Sequence, residues 1–259
     1  MSDFYETDRA VAEYLLFHYG EDEVVLPWKS GPREALRFPT RCVRECLLTD
    51  RLPARARALD LGCAVGASAF ELARHCTEVI GLDRSVRLIA AARHILERGE
   101  LDFPVTLEGR ISAEAVARRP EVSPGRLRFE VADALDLPAG LGDFDVILAA
   151  NLLDRVPRPR DLLRGLAARV RPGGQLILTS PYTWLEEYTP RDEWLCAEGR
   201  RTGEVLGNFL GGLSLERRLD LPFLLREHDR KYQWSIAEAT VWVRPPADAA
   251  DGVGAPGRE

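Results

Sequence analysis

Apolar residues along this chain recur in two rhythms, and the rhythms alternate. Short, nearly continuous apolar runs lie at 56–61, 78–82, 127–131, 144–149 and 175–179. Each has the length and texture of a strand buried on both faces. Between them, 67–75, 85–97 and 159–170 carry apolar residues at helical spacing. Ser85 is a good N-cap for the second of these helices and Gly99 a good stop. Strands that alternate with helices predict a mainly parallel sheet covered on both faces. Two late runs, 223–232 and 236–243, read as strands that pair antiparallel. Pro172-Gly173-Gly174 reads as a turn before the fifth strand.

The flanks follow other patterns. Ala10, Val11, Tyr14, Leu15 and His18 place a helix over 5–19, with Gly20 as its stop. Residues 20–37 read as a loop. A second helix starts near Pro39 and runs through Cys42, Val43, Cys46 and Leu47 until Arg51-Leu52-Pro53 breaks it. Residues 100–126 are long for a connection. There, 103–107 reads as a short strand and 113–119 as a helical turn. Residues 181–218 read as a Trp/Tyr-rich loop with at least one helix. The predicted organisation is a helical lid over 1–53, a Rossmann-like domain over 54–244 with an insert at 100–126, and a disordered tail over 245–259. No internal repeat is visible.

Composition narrows the function classes. The chain has 259 residues, a formal net charge of −6, and arginines interleaved with acids. That balance argues against a nucleic-acid partner. No apolar run approaches the roughly 20 residues of a membrane helix. The N-terminus has neither a basic region nor an apolar signal core, so the expected location is cytoplasmic, with no membrane partner. Five cysteines, Cys42, Cys46, Cys63, Cys76 and Cys196, are few and odd in number. A disulfide framework is not expected. The Cys42/Cys46 spacing is poor for zinc, so no metal is expected and buried thiols are.

The first strand ends in Asp60-Leu61-Gly62-Cys63-Ala64-Val65-Gly66, a small-residue turn before a helix. Glycine lets the backbone approach a ligand, and the exposed amides at a helix start suit a negative group. Asp83 ends the second strand, where a carboxylate accepts from both ribose hydroxyls. Two cofactors compete. A dinucleotide fingerprint would need glycine where Ala64 and Ala67 stand. A S-adenosylmethionine site uses an acid and then small residues at alternate positions. Asp60, Gly62, Ala64 and Gly66 match this with one alanine for glycine. Asp133 after the third strand, Asn151 after the fourth, the Pro-Gly-Gly turn and the closing hairpin favour the second cofactor. Cys63, Arg84 and Ala134 complete the residues expected to border it, with S-adenosyl-L-homocysteine as its product.

With those residues in place the chain resembles the methyltransferase family of ovothiol biosynthesis, which methylates the imidazole of 5-thiohistidine (4-mercaptohistidine). The likeness lies in Phe4-Tyr5-Glu6-Thr7-Asp8, Glu13 to Gly20, Phe38-Pro39-Thr40-Arg41-Cys42, Asp60 to Gly66, Ala149 to Arg155, Ser180 to Glu187, and Pro222 to Trp242. It covers about residues 4–244. The tyrosine-rich start and the Ser-Pro-Tyr-Thr-Trp block are more specific than the glycine turn. The resemblance implies a class I methyltransferase fold and N-methylation of thiohistidine, or equally of its selenium analogue. In the best-known members the domain follows an iron-dependent sulfoxide synthase in one long polypeptide. Here it stands alone, which implies a separate histidine sulfoxide synthase, or a selenium counterpart, as pathway partner.

Methyl transfer from a sulfonium is an in-line displacement, so the protein has to align a neutral ring nitrogen and exclude water. An imidazole with a pKa of about 6.5 needs no strong base near neutrality. Asn151, Asp154 and Tyr182 are the candidates for orienting the acceptor. Asn151 serves equally as a cofactor contact, and Asp154 equally as a helix cap. Tyr182 and Trp184 suit stacking on the ring, or plain core packing. With the family resemblance, Tyr14, His18 and Tyr19 become substrate candidates, with Tyr5 beside them. Arg41 suits a carboxylate, or solvent. Lys231, Tyr232 and Trp234 lie on a late strand, where alternation sends neighbours to opposite faces. Glu186-Glu187 reads as a solvated pair. The competing functions are methylation of another small molecule, an NAD-dependent oxidoreductase, and a non-catalytic cofactor-binding subunit of a synthase.

Overall fold

The computed structural model describes residues 3–196 and 199–247. In chain order its elements are α1 (Asp8–Tyr19), α2 (Asp22–Val25), α3 (Phe38–Arg44), β1 (Arg57–Leu61), α4 (Ala67–Leu72), β2 (Glu78–Asp83), α5 (Val86–Arg98), β3 (Glu100–Glu108), β4 (Ile111–Arg118), β5 (Leu127–Val131), β6 (Phe144–Ala150), α6 (Pro159–Ala168), β7 (Val170–Ser180), α7 (Thr202–Val205), β8 (Ser214–His228) and β9 (Lys231–Val243). Seven strands form one sheet in the order β5-β2-β1-β6-β7-β9-β8. The first five are mutually parallel, and β9 pairs antiparallel with both β7 and β8. The strand order reverses between β1 and β6, and ligands of open α/β sheets bind in the crevice at that reversal.

Side-chain alternation divides the core into two layers. Ala58, Val79, Val146 and Leu148 join the layer on one face of the sheet. Leu59, Leu61, Ile80, Leu82 and Ile147 join the layer on the other. This is the signature of strands covered on both sides. Local sequence starts the helices as expected. The Thr7 side chain accepts from the Ala10 amide at 3.1 Å and the Ser85 hydroxyl from the Leu88 amide at 3.1 Å. Gly99 closes α5 with a φ of 92°.

The N-terminal segment is tied to the sheet by specific polar contacts. Buried Gln175 exchanges two hydrogen bonds with the Leu48 backbone, at 2.9 and 3.1 Å. Arg44 on α3 donates to both carboxylate oxygens of Glu71 on α4, at 2.8 and 3.0 Å.

Several expectations are corrected. Residues 113–119 are no helical turn, because β4 pairs with β3 as a separate two-stranded hairpin. The alternation that buries Ala117 and leaves Glu114 outside overrides the alanine preference for helix. The two late strands are longer than expected and turn at Asp229-Arg230, so 223–232 is not one strand. Residues 20–37 include the short helix α2. Pro172-Gly173-Gly174 lies within β7, at an irregularity in its pairing with β6. The tail expected to be disordered lies, from residue 248 onward, outside the described residues. Cys42, Cys46, Cys63 and Cys76 are buried free thiols, and Cys196 is exposed. Among the described residues, no helix is long and apolar enough to cross a membrane.

Candidate functional site

Three non-glycine residues at the C-terminal edge of the sheet have left-handed backbones. They are Ala64 after β1 (φ 48°), Asn151 after β6 (φ 51°) and Tyr182 after β7 (φ 53°). Such conformations cost energy and cluster at functional sites. A cavity of about 340 Å³ opens at this edge, bordered by Gly62, Ala64, Asp83, Arg84, Asn151, Leu152 and Arg155. α1 covers it with Glu13, Tyr14, Phe17 and His18, and the closing hairpin contributes Phe223, Leu225, Arg226, Glu227 and Gln233.

The turn after β1 is held from several sides. Asp83 accepts from the Ala64 amide at 3.0 Å and from the Ser85 amide at 2.9 Å. Burial pushes its carboxyl above the usual range, against those two bonds. Each oxygen keeps a further lone pair, and Asp83 borders the cavity. Tyr19 donates its hydroxyl to the Val65 carbonyl at 2.7 Å. His18 Nδ1 accepts from the Ala67 amide at 3.3 Å, which leaves Nε2 as the protonated nitrogen. Burial holds this imidazole neutral, with its pKa lowered to about 3. Behind the turn, Asp60 is 1% exposed and accepts from the Ser68 hydroxyl at 2.7 Å. Burial raises its pKa to about 7, and its Oδ1 has no partner among the described residues.

The glycines have different reasons. A Cβ on Gly62 would meet the Leu152 side chain at 3.2 Å, beside the cavity. A Cβ on Gly66, whose φ is 92°, would sit 2.4 Å from the Phe129 ring. Gly66 is therefore required by packing and does not border the cavity. Cys63 is buried beside Gly81 and is likewise outside it.

Beyond the turn the wall is aromatic, then charged. Phe17, Phe38 and Phe223 meet with centroids 4.9 to 6.2 Å apart. Tyr5 lies 6.0 Å from Tyr14 and 6.4 Å from Tyr188. The Arg155 guanidinium lies 5.0 Å from the Tyr188 ring centre. Its Nη1 donates to the Asp154 carboxylate at 3.0 Å and to the Asp154 and Thr183 carbonyls. No such bond is made by Nε or Nη2 among the described residues.

Of the sequence candidates, Gly62, Ala64, Asp83, Arg84, Asn151, Tyr14 and His18 meet in the cavity. The others have different work. Tyr182 turns away and donates to Glu238 at 2.5 Å. Trp184 donates to Thr202 at 3.1 Å. Both pack on the opposite apolar layer, so neither walls the cavity. Asp154 is wholly buried and accepts from the Thr183 amide at 2.8 Å, which makes it the support of Arg155. Arg41 ties α3 to β8 through the Pro222 carbonyl at 3.0 Å and to Glu45 at 2.5 Å. Asp133 is exposed and accepts from the Leu135 amide at 2.8 Å, with Ala134 half-buried beside it. Neither borders the cavity. Sequence reasoning missed Arg155, Tyr188, Phe17, Phe38, Phe223, Arg226, Glu227 and Gln233 as lining residues. Arg226 left one trace, a charge directly after the apolar run Phe223-Leu224-Leu225.

The donor set fits S-adenosylmethionine. A half-buried carboxylate stands at the end of β2, and a small-residue turn lies beside it, with Gly62 and Ala64 bordering the cavity.

Comparison with known proteins agrees. A methyltransferase-domain family matches residues 32–221. Ubiquinone biosynthesis O-methyltransferase of Xanthomonas axonopodis pv. citri (strain 306) is 29% identical over 152 residues, 58% of this chain and 53% of its own length. The enzyme of the same name from Stutzerimonas stutzeri (strain A1501) is 30% identical over 126 residues, 48% of this chain and 44% of its own. The matches span about half the length of these curated relatives. Among solved structures, N-methyltransferase NodS from Bradyrhizobium japonicum WM9 in complex with S-adenosyl-L-homocysteine aligns with a TM-score of 0.52 and 19% identity, over 91% of this chain and 98% of its own. The cyclase SpnF aligns with a TM-score of 0.57 and 17% identity, over 94% and 95%. At those identities the likeness establishes fold alone. The chain belongs to the methyltransferase-domain family, and its fold is that of class I S-adenosylmethionine-dependent methyltransferases.

Proposed function

We propose that this member of the methyltransferase-domain family transfers a methyl group from S-adenosylmethionine to an imidazole nitrogen of 5-thiohistidine or its selenium analogue. The supporting observation is the wall beyond the glycine turn, where an aromatic slot is bounded by charges of both signs. Phe17, half-buried and packed on buried Phe38 and Phe223, offers an aromatic surface for a flat ring. Arg155, with Nε and Nη2 unengaged by protein partners among the described residues, offers a cation for an ionised sulfur or selenium. The tyrosine-rich start and the Ala149 to Arg155 stretch, which carry the family resemblance, contribute Tyr5, Tyr14, Asn151 and Arg155 to this cavity.

When bound, the cofactor supplies an electrophilic methyl group on a sulfonium. Asp83 and the Gly62–Ala64 backbone are the groups that would hold its ribose and its amino-acid part. His18, neutral and protonated on Nε2, offers a donor near the turn without adding charge. Asn151 accepts the Thr179 hydroxyl on Oδ1 at 3.0 Å, which fixes its amide at the cavity edge. α1 and the hairpin exclude water from the acceptor. A neutral imidazole nitrogen carries its own lone pair, so the site needs alignment more than proton abstraction.

A second reading, O-methylation of a phenolic acceptor, is favoured by the relatives' names. A phenol with a pKa of about 10 has to lose a proton to become a good nucleophile. His18 is not free to take it, because its Nδ1 lone pair already accepts the Ala67 amide. The two readings part on incubation with S-adenosylmethionine and a panel of histidine, 5-thiohistidine, 2-thiohistidine, their selenium forms and a catechol, followed by mass spectrometry. Methylation confined to the 5-thio or 5-seleno compounds supports the first. Methylation of the catechol alone refutes it.

A further inference from the structure

Glu13, Arg226 and Glu227 border both the main cavity and a side chamber of about 150 Å³ reaching Pro104 and Thr106 of the β3–β4 hairpin. Neighbours on a regular strand face opposite sides. Arg226 and Glu227 escape that rule because β8 is irregular there. Arg226 pairs with Tyr232 and His228 with Lys231, which leaves Glu227 without an opposite residue. Such a bulge re-aims side chains, and bulges are enriched beside active sites.

The charges are held in readiness. The Arg226 side chain is 3% exposed. It donates to the Val24 carbonyl and to Asp229, and its Nε has no partner among the described residues. A buried N–H without an acceptor is costly, and an arriving anion relieves that cost. Glu227 accepts from Gln233 at 3.0 Å and pairs with Lys231 at 2.8 Å, and Glu13 pairs with Arg9 at 2.7 Å. Lys231 and Arg9 are more than half exposed, so these outer pairs are weak and leave the carboxylates able to take another cation. Glu13 precedes His18 by five residues on α1, about 7.5 Å along the helix axis. That places Glu13 more than one helical turn along α1 from the residue that touches the glycine turn.

We propose that Glu13, Arg226 and Glu227 form the seat for an α-amino-acid head group, with the ammonium on the two carboxylates and the carboxylate on the guanidinium. This deepens the thiohistidine reading and rests on it. It makes the enzyme selective for the free amino acid over peptide-linked or decarboxylated imidazoles. The cofactor carries the same head group at its methionine end, so the test has to tell the two sources apart.

Calorimetry does so with the wild-type chain and with Glu13→Gln, Glu227→Gln and Arg226→Lys, each first checked for a native thermal transition. S-adenosyl-L-homocysteine is titrated alone. Then 5-thiohistidine, its N-acetyl form and 5-thiohistamine are titrated onto the saturated protein. The expected result is unchanged S-adenosyl-L-homocysteine affinity. 5-Thiohistidine binding falls about tenfold or more in each variant, as for loss of a charged hydrogen bond. The two blocked analogues bind wild type about as weakly as 5-thiohistidine binds the variants. Weakened S-adenosyl-L-homocysteine binding in the glutamine variants would assign the seat to the cofactor and overturn the proposal. Equal wild-type affinity for all three imidazoles, or none for any, overturns it too. If the head group is discriminated in binding but 5-thiohistidine is not methylated, the seat stands and the substrate reading fails.

Discussion

Asp83 already accepts two backbone amides before any ligand arrives, so the turn and the carboxylate preorganise one another. Asp83→Ala removes both that brace and the ribose acceptor. We expect S-adenosyl-L-homocysteine affinity to fall by about a hundredfold in calorimetry, and an unchanged affinity would displace Asp83 from the ribose. His18 and Asp60 make opposite pH-dependent contributions. The folded pKa of His18, about 3, lies below its ordinary 6.5. Between those values the unfolded chain binds a proton that the folded chain refuses, so stability falls as pH drops through that window. The folded pKa of Asp60, about 7, lies above its ordinary 3.8. There the folded chain keeps a proton that the unfolded chain has lost, so stability falls as pH rises from 3.8 to 7. Urea midpoints should show His18→Gln gaining on wild type as pH falls from about 6.5, and Asp60→Asn gaining as pH rises toward about 7. Parallel curves for a variant and wild type would contradict the assignment for that residue. Gly62 and Asp83 were legible because short-range spacing encodes a turn beside a strand end, while Asp60 lies buried behind that turn and outside the cavity lining. Arg155 and Arg226 were not, because an arginine reads as solvated unless its burial is known.

At the scale of elements, one ring accounts for two glycines. Phe129 on β5 lies where a Cβ of Gly66 or of Gly81 would be, at 2.4 and 2.5 Å. Gly66→Ala should therefore destabilise strongly, by about 3 kcal/mol from overpacking and a strained φ. Adding Phe129→Ala should recover part of that loss in a double-mutant cycle of denaturation midpoints. Strict additivity would dismiss the contact. Tyr182 carries a second test. Its hydroxyl binds Glu238, which also pairs with Arg218 at 2.9 Å. Tyr182→Phe should lower stability by about 1 kcal/mol, seen as a lower thermal midpoint, while KM for the acceptor stays the same. A raised KM would return Tyr182 to the substrate. Within the Ser180 to Glu187 block Pro181 and Leu185 border the cavity, whereas Tyr182 and Trp184 misled for a physical reason. Sequence shows that aromatic residues follow a strand, but not which of two apolar layers they enter. The β4 strand was hidden similarly, because four residues of alanine and valine fit either period.

The whole molecule follows from the strand alternation, which was readable through the parallel strands but not through β4 or the turn of the closing hairpin. The mainly parallel sheet and the antiparallel closing pair are consequences of short apolar runs and their connections, whereas the reversal between β1 and β6 is visible only in the structure. What the sequence concealed is how distant segments converge. α1 and the bulged end of β8 lie some two hundred residues apart in the chain and share one cavity wall. The family match establishes membership of the methyltransferase-domain family, and the proposed acceptor rests on the wall chemistry. The most direct measurement is a competition in one tube. Limiting isotope-labelled S-adenosylmethionine is offered equimolar 5-thiohistidine and a catechol, and label in each product is counted by mass spectrometry. The account predicts that the label enters the imidazole ring of 5-thiohistidine in large excess. Label entering the catechol, with 5-thiohistidine returned unmethylated, would contradict it.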